Sequence, residues 1–326
     1  MYHVLSEAIA GFLLARQVEG CSPNTIRNYN LDLRRFCVHV GHRTPLTEIT
    51  ADHIRSFLAT LQTTRLAPAG VAPRPAATPS PKTITNAHTT LRSFFHWAVD
   101  EGYLDTNPAA EVTPPRPSAP AVTPLTREEV HALLRATERT NPYRNRPTVR
   151  NRRPDALQRR DRAIILILLD TGIRASELCN LTISDYNPRT GHLTVRGKSR
   201  HASGQGRQRV VYLSSATRRV LAAYLSRRDA PPDAPLLANA DGSSIERRHL
   251  AHHLRRLGER AGVRDVHPHR FRHTFAITYL RNGGDSYTLQ QLLGHSSLDM
   301  VRRYLAIAQT DCAAAHRRCS PVAHWF

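Results

Sequence analysis

Residues 267–305 read HPHRFRHTFAITYLRNGGDSYTLQQLLGHSSLDMVRRYL, and the rest of the chain is organised around them. Pro268 suits the first turn of a helix and Gly283-Gly284 end it. On that helix His269 and Arg272, three apart, share one face. A short second helix runs over 287–293 and stops at Gly294, with His295 in the turn. A third opens at Ser296, where Asp299 completes a capping-box signal, and carries Tyr304. A guanidinium and imidazoles suit a phosphate. A phenol held beside them is a nucleophile for it.

Taken singly, each of these residues has an ordinary reading. His269 and Arg272 fit a surface helix, His295 a capping or core histidine. Tyr304 falls between the apolar stripes of Met300/Ile307 and Val301/Leu305, as a core tyrosine would. Only the combination points to chemistry.

At 326 residues the chain is long enough for two domains, each with its own core. A formal charge of +20 calls for a polyanionic partner, most simply nucleic acid. Lys82 and Lys198 are the only lysines among 46 basic residues, so 44 are arginine. A bias toward arginine explains that exchange but not the excess of positive over negative charge. The five cysteines (Cys21, Cys37, Cys179, Cys312, Cys319) lack metal-ligand or disulfide-framework spacing, and read as thiols in a reducing cytoplasm. The longest apolar run, 163–169, is too short to span a bilayer, so no membrane role is expected.

Helical periodicity predicts four helices in residues 1–110. Leu5, Ile9, Phe12 and Leu13 mark the first. Ser22-Pro23 opens the second, striped by Ile26, Tyr29, Leu33, Phe36, Cys37 and Val40. The third carries Ile54, Phe57, Leu58 and Leu61; the fourth Ile84, His88, Leu91, Phe94, Phe95 and Ala98. Between them the Pro/Ala-rich residues 63–81 predict a loop. Residues 111–124 hold too many prolines for helix or central strand and read as an interdomain linker. At roughly 3 Å per residue it spans a rod about 20 Å thick, the geometry of a clamp around duplex DNA.

The second domain, 125–326, opens with a capping box at Thr126 and Glu129. The basic run 139–160 is either a solvated insertion or a DNA-contacting loop. Residues 161–169 form a helix apolar nearly all round, hence central in the core. Strands are predicted at 192–197 and 208–213 around a Gly-rich hairpin loop, 198–207, with helices at 215–227 and 247–261. After Tyr304 comes a helical tail to about 318, and the end, His324-Trp325-Phe326, suggests docking of exposed aromatics. The fold class is therefore mainly α with a small antiparallel β-sheet: a helical domain followed by an α+β domain.

Two further cations stand out. Arg174 follows a Thr-Gly turn at a helix start, where free N–H groups and a guanidinium together favour phosphate. Lys198 is a lysine retained where arginine is the rule, and a lysine, unlike arginine, gives up its proton near neutral pH.

TGIRASEL around Arg174, VRGKS at Lys198, HRFRHTFA at 269–276 and LGHSSLDMVRRY at 293–304 resemble, in order and spacing, the tyrosine recombinases, the phage integrase family that includes the Xer resolvases. SPNTIRNYNLDLRRF and TITNAHTTLRSFFHWAVDEGYLDTNPA resemble that family's helical, SAM-like core-binding domain, so the likeness covers essentially the whole chain. The C-terminal wording, RRYLAIAQTD onward, is more similar to integrases of mobile elements than to Xer proteins.

The resemblance implies a site-specific DNA recombinase that works through a 3′-phosphotyrosyl intermediate, without metal or other cofactor. Tyr304 would be the nucleophile, Arg174 and Arg272 the ligands of the non-bridging oxygens, and Lys198 the general acid. His269 would exchange protons with the tyrosine, His295 would donate a hydrogen bond to the phosphate, and Glu177 would brace the site. The implied partners are double-stranded DNA with paired half-sites and three further copies of the chain in a synaptic homotetramer, with or without a partner recombinase. Two rivals stay open: a type IB topoisomerase-like relaxase, and a DNA-binding accessory protein without activity.

Overall fold

A computed structural model describes residues 4–63, 80–114, 123–138, 155–197, 208–294, 301–302, 304–305, 316–317 and 320–325. The chain divides into two compact units, Met1–Pro120 and Ala121–Phe326.

The first unit is built from α1 (Leu5–Val18), α2 (Pro23–Val40), α3 (Ala51–Thr63) and α4 (Pro81–Asp100). Serines start α2 and α4: the side chains of Ser22 and Ser80 accept from the backbone N–H of Thr25 and Thr83, ahead of a first-turn proline in each. The predicted stripes meet inside. Phe12 packs edge-on against Phe94 (centroids 5.6 Å apart) and Phe36 against Phe95 (6.0 Å). His88, an apparent polar intruder in the α4 stripe, is buried with Nε2 3.1 Å from the carbonyl of Ala109. That carbonyl belongs to a 3₁₀ turn, Pro108–Glu111, which the sequence reading did not mark. The loop expected at 63–81 and much of the linker expected at 111–124 lie outside the described residues.

The second unit begins with α5 (Arg127–Ala136), whose capping box forms in both directions between Thr126 and Glu129. Then come α6 (Asp155–Thr171), α7 (Ala175–Cys179), β1 (Tyr186–Asn187), β2 (His192–Arg196), β3 (Gln208–Tyr212), α8 (Ser215–Leu225), α9 (Arg247–Ala261), α10 (Pro268–Arg281), α11 (Ser286–Leu293) and α12 (Pro321–Trp325). Ile164, Ile165, Ile167 and Leu168 are all at most 1% exposed, which makes α6 the core helix its composition predicts. The sheet is antiparallel in the order β1-β2-β3, with Leu193 opposite Val211 on the face turned to the core. β1 is an addition to the two predicted strands. No described helix is long and apolar enough to cross a membrane.

The structure differs from expectation at the end of the basic run. Residues 155–160 are not loop but the first turns of α6, and Arg160 is buried. Its guanidinium binds Oδ1 of Asp161 through Nε (3.1 Å) and Nη2 (2.9 Å), which neutralises a carboxylate that is itself 1% exposed. Charge density along a sequence does not reveal such local pairing. Residues 139–154 and the hairpin loop 198–207 lie outside the described residues.

Candidate active site

The site is assembled around the C-terminal end of α11. A helix leaves its last carbonyls without intrahelical partners, and they carry the negative end of the helix dipole. Gly294 caps α11 in the left-handed conformation (φ 64°). Three successive carbonyls of this terminus each accept from a different arginine. Leu292 O takes Nε of Arg209 at 2.7 Å, Leu293 O takes Nη2 of Arg272 at 2.8 Å, and Gly294 O takes Nη2 of Arg174 at 3.2 Å. Guanidiniums from β3, α10 and the residue ahead of α7 thus converge on one helix end, which offsets part of their mutual repulsion.

Glu177, 5% exposed, supplies the opposing charge. Its carboxylate accepts from Arg174 Nη1 (2.9 Å) and backbone N (2.8 Å), and from Arg209 Nη1 (3.0 Å) and Nη2 (2.8 Å). Burial pushes its pKa up, but the bonds and charges of Arg209 and Arg174 outweigh burial and hold the carboxyl below its ordinary 4.5. Arg272, 4% exposed, also gives Nη1 to Gly172 O at 2.8 Å. Burial, then the charge of Arg174, lowers its pKa to about 10, with Glu177 and Tyr304 acting in the opposite sense. It therefore remains a cation at neutral pH. Arg174 keeps 39% of its side chain exposed, so one cation of the group is open to an incoming anion.

Beyond Arg272 on α10 stand two imidazoles. The rings of His269 and His273 are 6.4 Å apart. Nδ1 of His273 lies 2.9 Å from the phenolic oxygen of Tyr304, and Tyr304 is only 3% exposed, packed with Ile277, Leu280, Leu293 and Val301. His269 is exposed, yet desolvation of its ring and then the charges of Arg272, His267, Arg174 and Arg247 hold its pKa below 6.5 and favour the neutral form.

Residues 124–310 match the phage integrase family, and residues 11–102 match the phage integrase N-terminal SAM-like domain. The chain belongs to the phage integrase family. It is a tyrosine-type site-specific recombinase, 34% identical over 304 residues to the tyrosine recombinase XerC of Myxococcus xanthus, with 89% of each chain covered. It is 30% identical to the XerC of Pelobacter propionicus, over 98% of this chain and 97% of that one. Its fold is that of the Tn1549 transposon integrase solved with a circular-intermediate DNA (TM-score 0.73, 18% identity, 93% and 95% of the two chains covered). It is also that of a lambda integrase dimer bound to a core site (TM-score 0.67, 18% identity, 91% and 97% covered).

Of the residues singled out from sequence, the recombinase brings together Arg174, Arg272, His269 and Tyr304, with Glu177 beneath them. Lys198 and His295 lie outside the described residues. The site differs from expectation at Arg174. A carboxylate oxygen of Glu177, rather than open solvent, meets its backbone N–H, so that one N–H is not available to a phosphate, while the guanidinium stays partly exposed. Two members were missed. His273 lies within HRFRHTFA without a motif role of its own, although it is four residues from His269 and so on the same helix face. Arg209 sits in a strand whose alternation gave no reason to separate it from other surface arginines.

Proposed function

We propose that this recombinase cuts and rejoins duplex DNA one strand at a time, with Tyr304 as the nucleophile. The phenolic oxygen forms a bond to the scissile phosphorus, the bond to the 5′-oxygen breaks, and a 3′-phosphotyrosyl link and a free 5′-hydroxyl result. The observation that carries the reading is the convergence of Arg174 and Arg272 on adjacent carbonyls of one helix end, with Tyr304 near enough to Arg272 for the ionised phenol to favour its charged form. Two cations held beforehand stabilise the pentacoordinate state without reorganising during the step. The 2.9 Å contact supports His273 as first acceptor of the phenolic proton, with neutral His269 next in the exchange. Lys198 is proposed to protonate the leaving 5′-oxygen, and His295 to donate to the phosphate.

The net charge of +20 supports a nucleic-acid partner; that the partner is a duplex with paired half-sites, and that the chain assembles as a homotetramer on two such sites, is proposed with it. A lambda integrase tetramer on a Holliday junction shares this fold (TM-score 0.68, 18% identity). The mobile-element role rests on the C-terminal wording alone, and the DNA ends flanking the gene test it.

The test of cleavage starts from sites selected out of a random duplex pool by the purified chain. A nicked version of the selected site loses the resealing strand and traps any covalent complex. Wild type yields a DNA-linked band on a denaturing gel, and Tyr304→Phe binds the site without forming that band. A covalent band from Tyr304→Phe, or none from wild type on any selected site, overturns the proposal.

A further inference from the structure

Arg209 occupies the cation cluster more completely than any reading of the motifs suggests. All three nitrogens of its guanidinium group are engaged: Nη1 and Nη2 as a fork on the two oxygens of Glu177, Nε on Leu292 O. Its side chain is 13% exposed. Arg174 makes the same two kinds of contact, to Glu177 and to the α11 terminus, but stays 39% exposed. One carboxylate and one helix end are therefore shared by an inner arginine and an outer one. A Cβ at Gly294 would stand 3.0 Å from Nη1 of Arg209 and 3.2 Å from its Cζ, so the guanidinium lies flat against the capping turn and leaves it little room to move.

We propose that Arg209 is a positioning residue for phosphate activation, a role that rests on the cleavage chemistry proposed above. It touches no substrate. It fixes Glu177 in the orientation that holds Arg174, and it fixes Leu292, the first of the three carbonyls whose next two hold Arg272 and Arg174. Without it, Leu292 O loses its charged donor and the buried Glu177 is left to Arg174 and the more distant Arg272. Arg174 is then drawn inward, toward the carboxylate and away from the open side where a phosphate arrives. The physical basis is that a fork on a carboxylate is rigid, whereas a single ammonium is a point charge on a flexible stem. Lysine keeps the charge and loses the geometry.

The experiment compares wild type, Arg209→Lys, Arg209→Gln and Glu177→Gln, and the double variant Arg209→Gln/Glu177→Gln, on the nicked selected site. DNA affinity and the single-turnover rate of adduct formation are read separately, at saturating protein, after thermal unfolding has shown each variant folded. The expected result is DNA affinity within about threefold of wild type and a rate lowered about 10²-fold in Arg209→Gln, the loss that follows a displacement of about 1 Å in a reacting group. Arg209→Lys recovers about tenfold of that rate. In the Glu177→Gln background the same Arg209→Gln change lowers the rate by less than about tenfold, because the part of its effect that passes through the carboxylate is already lost and only the part through Leu292 O remains. If Arg209→Gln weakens binding as much as it slows cleavage, or if its effect simply multiplies with that of Glu177→Gln, the positioning role is wrong. If wild type itself forms no adduct, the cleavage reading falls first and this one with it.

Discussion

Replacing Gly172 with alanine separates the geometry of the site from the stability of the fold. Gly172 has φ 60°, where an L residue costs roughly 1–2 kcal/mol. A Cβ built there would lie 2.5 Å from Cδ1 of Phe275 and 2.9 Å from Cδ2 of Leu293. Both side chains must shift, and overpacking of this kind adds about 1–3 kcal/mol. Gly262 supplies the control. Its φ is 69°, but nothing lies within 4 Å of the Cβ position, so Gly262→Ala carries only the backbone penalty. In a unit of this size each kcal/mol moves Tm by about 2–4 °C, so Gly172→Ala should melt ~2–12 °C below Gly262→Ala.

The functional consequence is sharper. Gly172 O and Leu293 O are two carbonyls that hold the Arg272 guanidinium, and the added methyl presses on the residue that carries one of them. A shift approaching 1 Å slows adduct formation about 10²-fold relative to Gly262→Ala. The assays are thermal unfolding and single-turnover cleavage of the nicked site. Equal melting temperatures and equal cleavage rates in the two variants refute the reasoning.

The remaining expectations concern proton transfer and charge. His273→Phe should bind the site as wild type does and slow the formation of adduct by about 10²-fold, measured by single turnover; an unchanged rate removes His273 from the path of the phenolic proton. Lys198→Ala should slow cleavage, and a 5′-bridging phosphorothiolate, whose sulfur leaves without a proton, should restore it; no restoration assigns the acid elsewhere. Because the folded pKa of Glu177 is depressed, the stability it gives is full above the ordinary 4.5 and is lost as pH falls through the lower folded value. Denaturant titrations of wild type and Glu177→Gln should therefore show the stability gap between them narrowing as pH drops below about 4.5, and a gap independent of pH contradicts the assignment.

Much of this architecture is legible in the sequence because its signals are local. Ser22-Pro23, the Thr126/Glu129 box and the all-round apolar run before Thr171 each fix their element with neighbours a few positions away. Arg174, Arg272 and Tyr304 stand out from turn and helix patterns, but only motif resemblance gives them their roles, since a buried tyrosine between two stripes reads the same whether it is core or nucleophile; here it is both buried and hydrogen-bonded to His273. Arg209 escaped because its partners are a carboxylate 32 positions away and a backbone carbonyl 83 positions away. Backbone acceptors have no letter in the sequence. The same holds for the terminus of α11, visible beforehand only as a glycine that stops a helix. Arg160 failed for a related reason: the run of arginines around it suggested solvent, and only the neighbouring Asp161, itself buried, reverses that.

The most direct test of the convergence of Arg174, Arg272 and Tyr304 is an experimental structure of the recombinase on its selected DNA with vanadate in place of the scissile phosphate. The account predicts vanadium between the Tyr304 oxygen and the 5′-oxygen, with nitrogens of Arg174 and Arg272 both about 3 Å from its equatorial oxygens. A vanadate bound to a different hydroxyl, or to Tyr304 with either guanidinium turned away from it, contradicts the account.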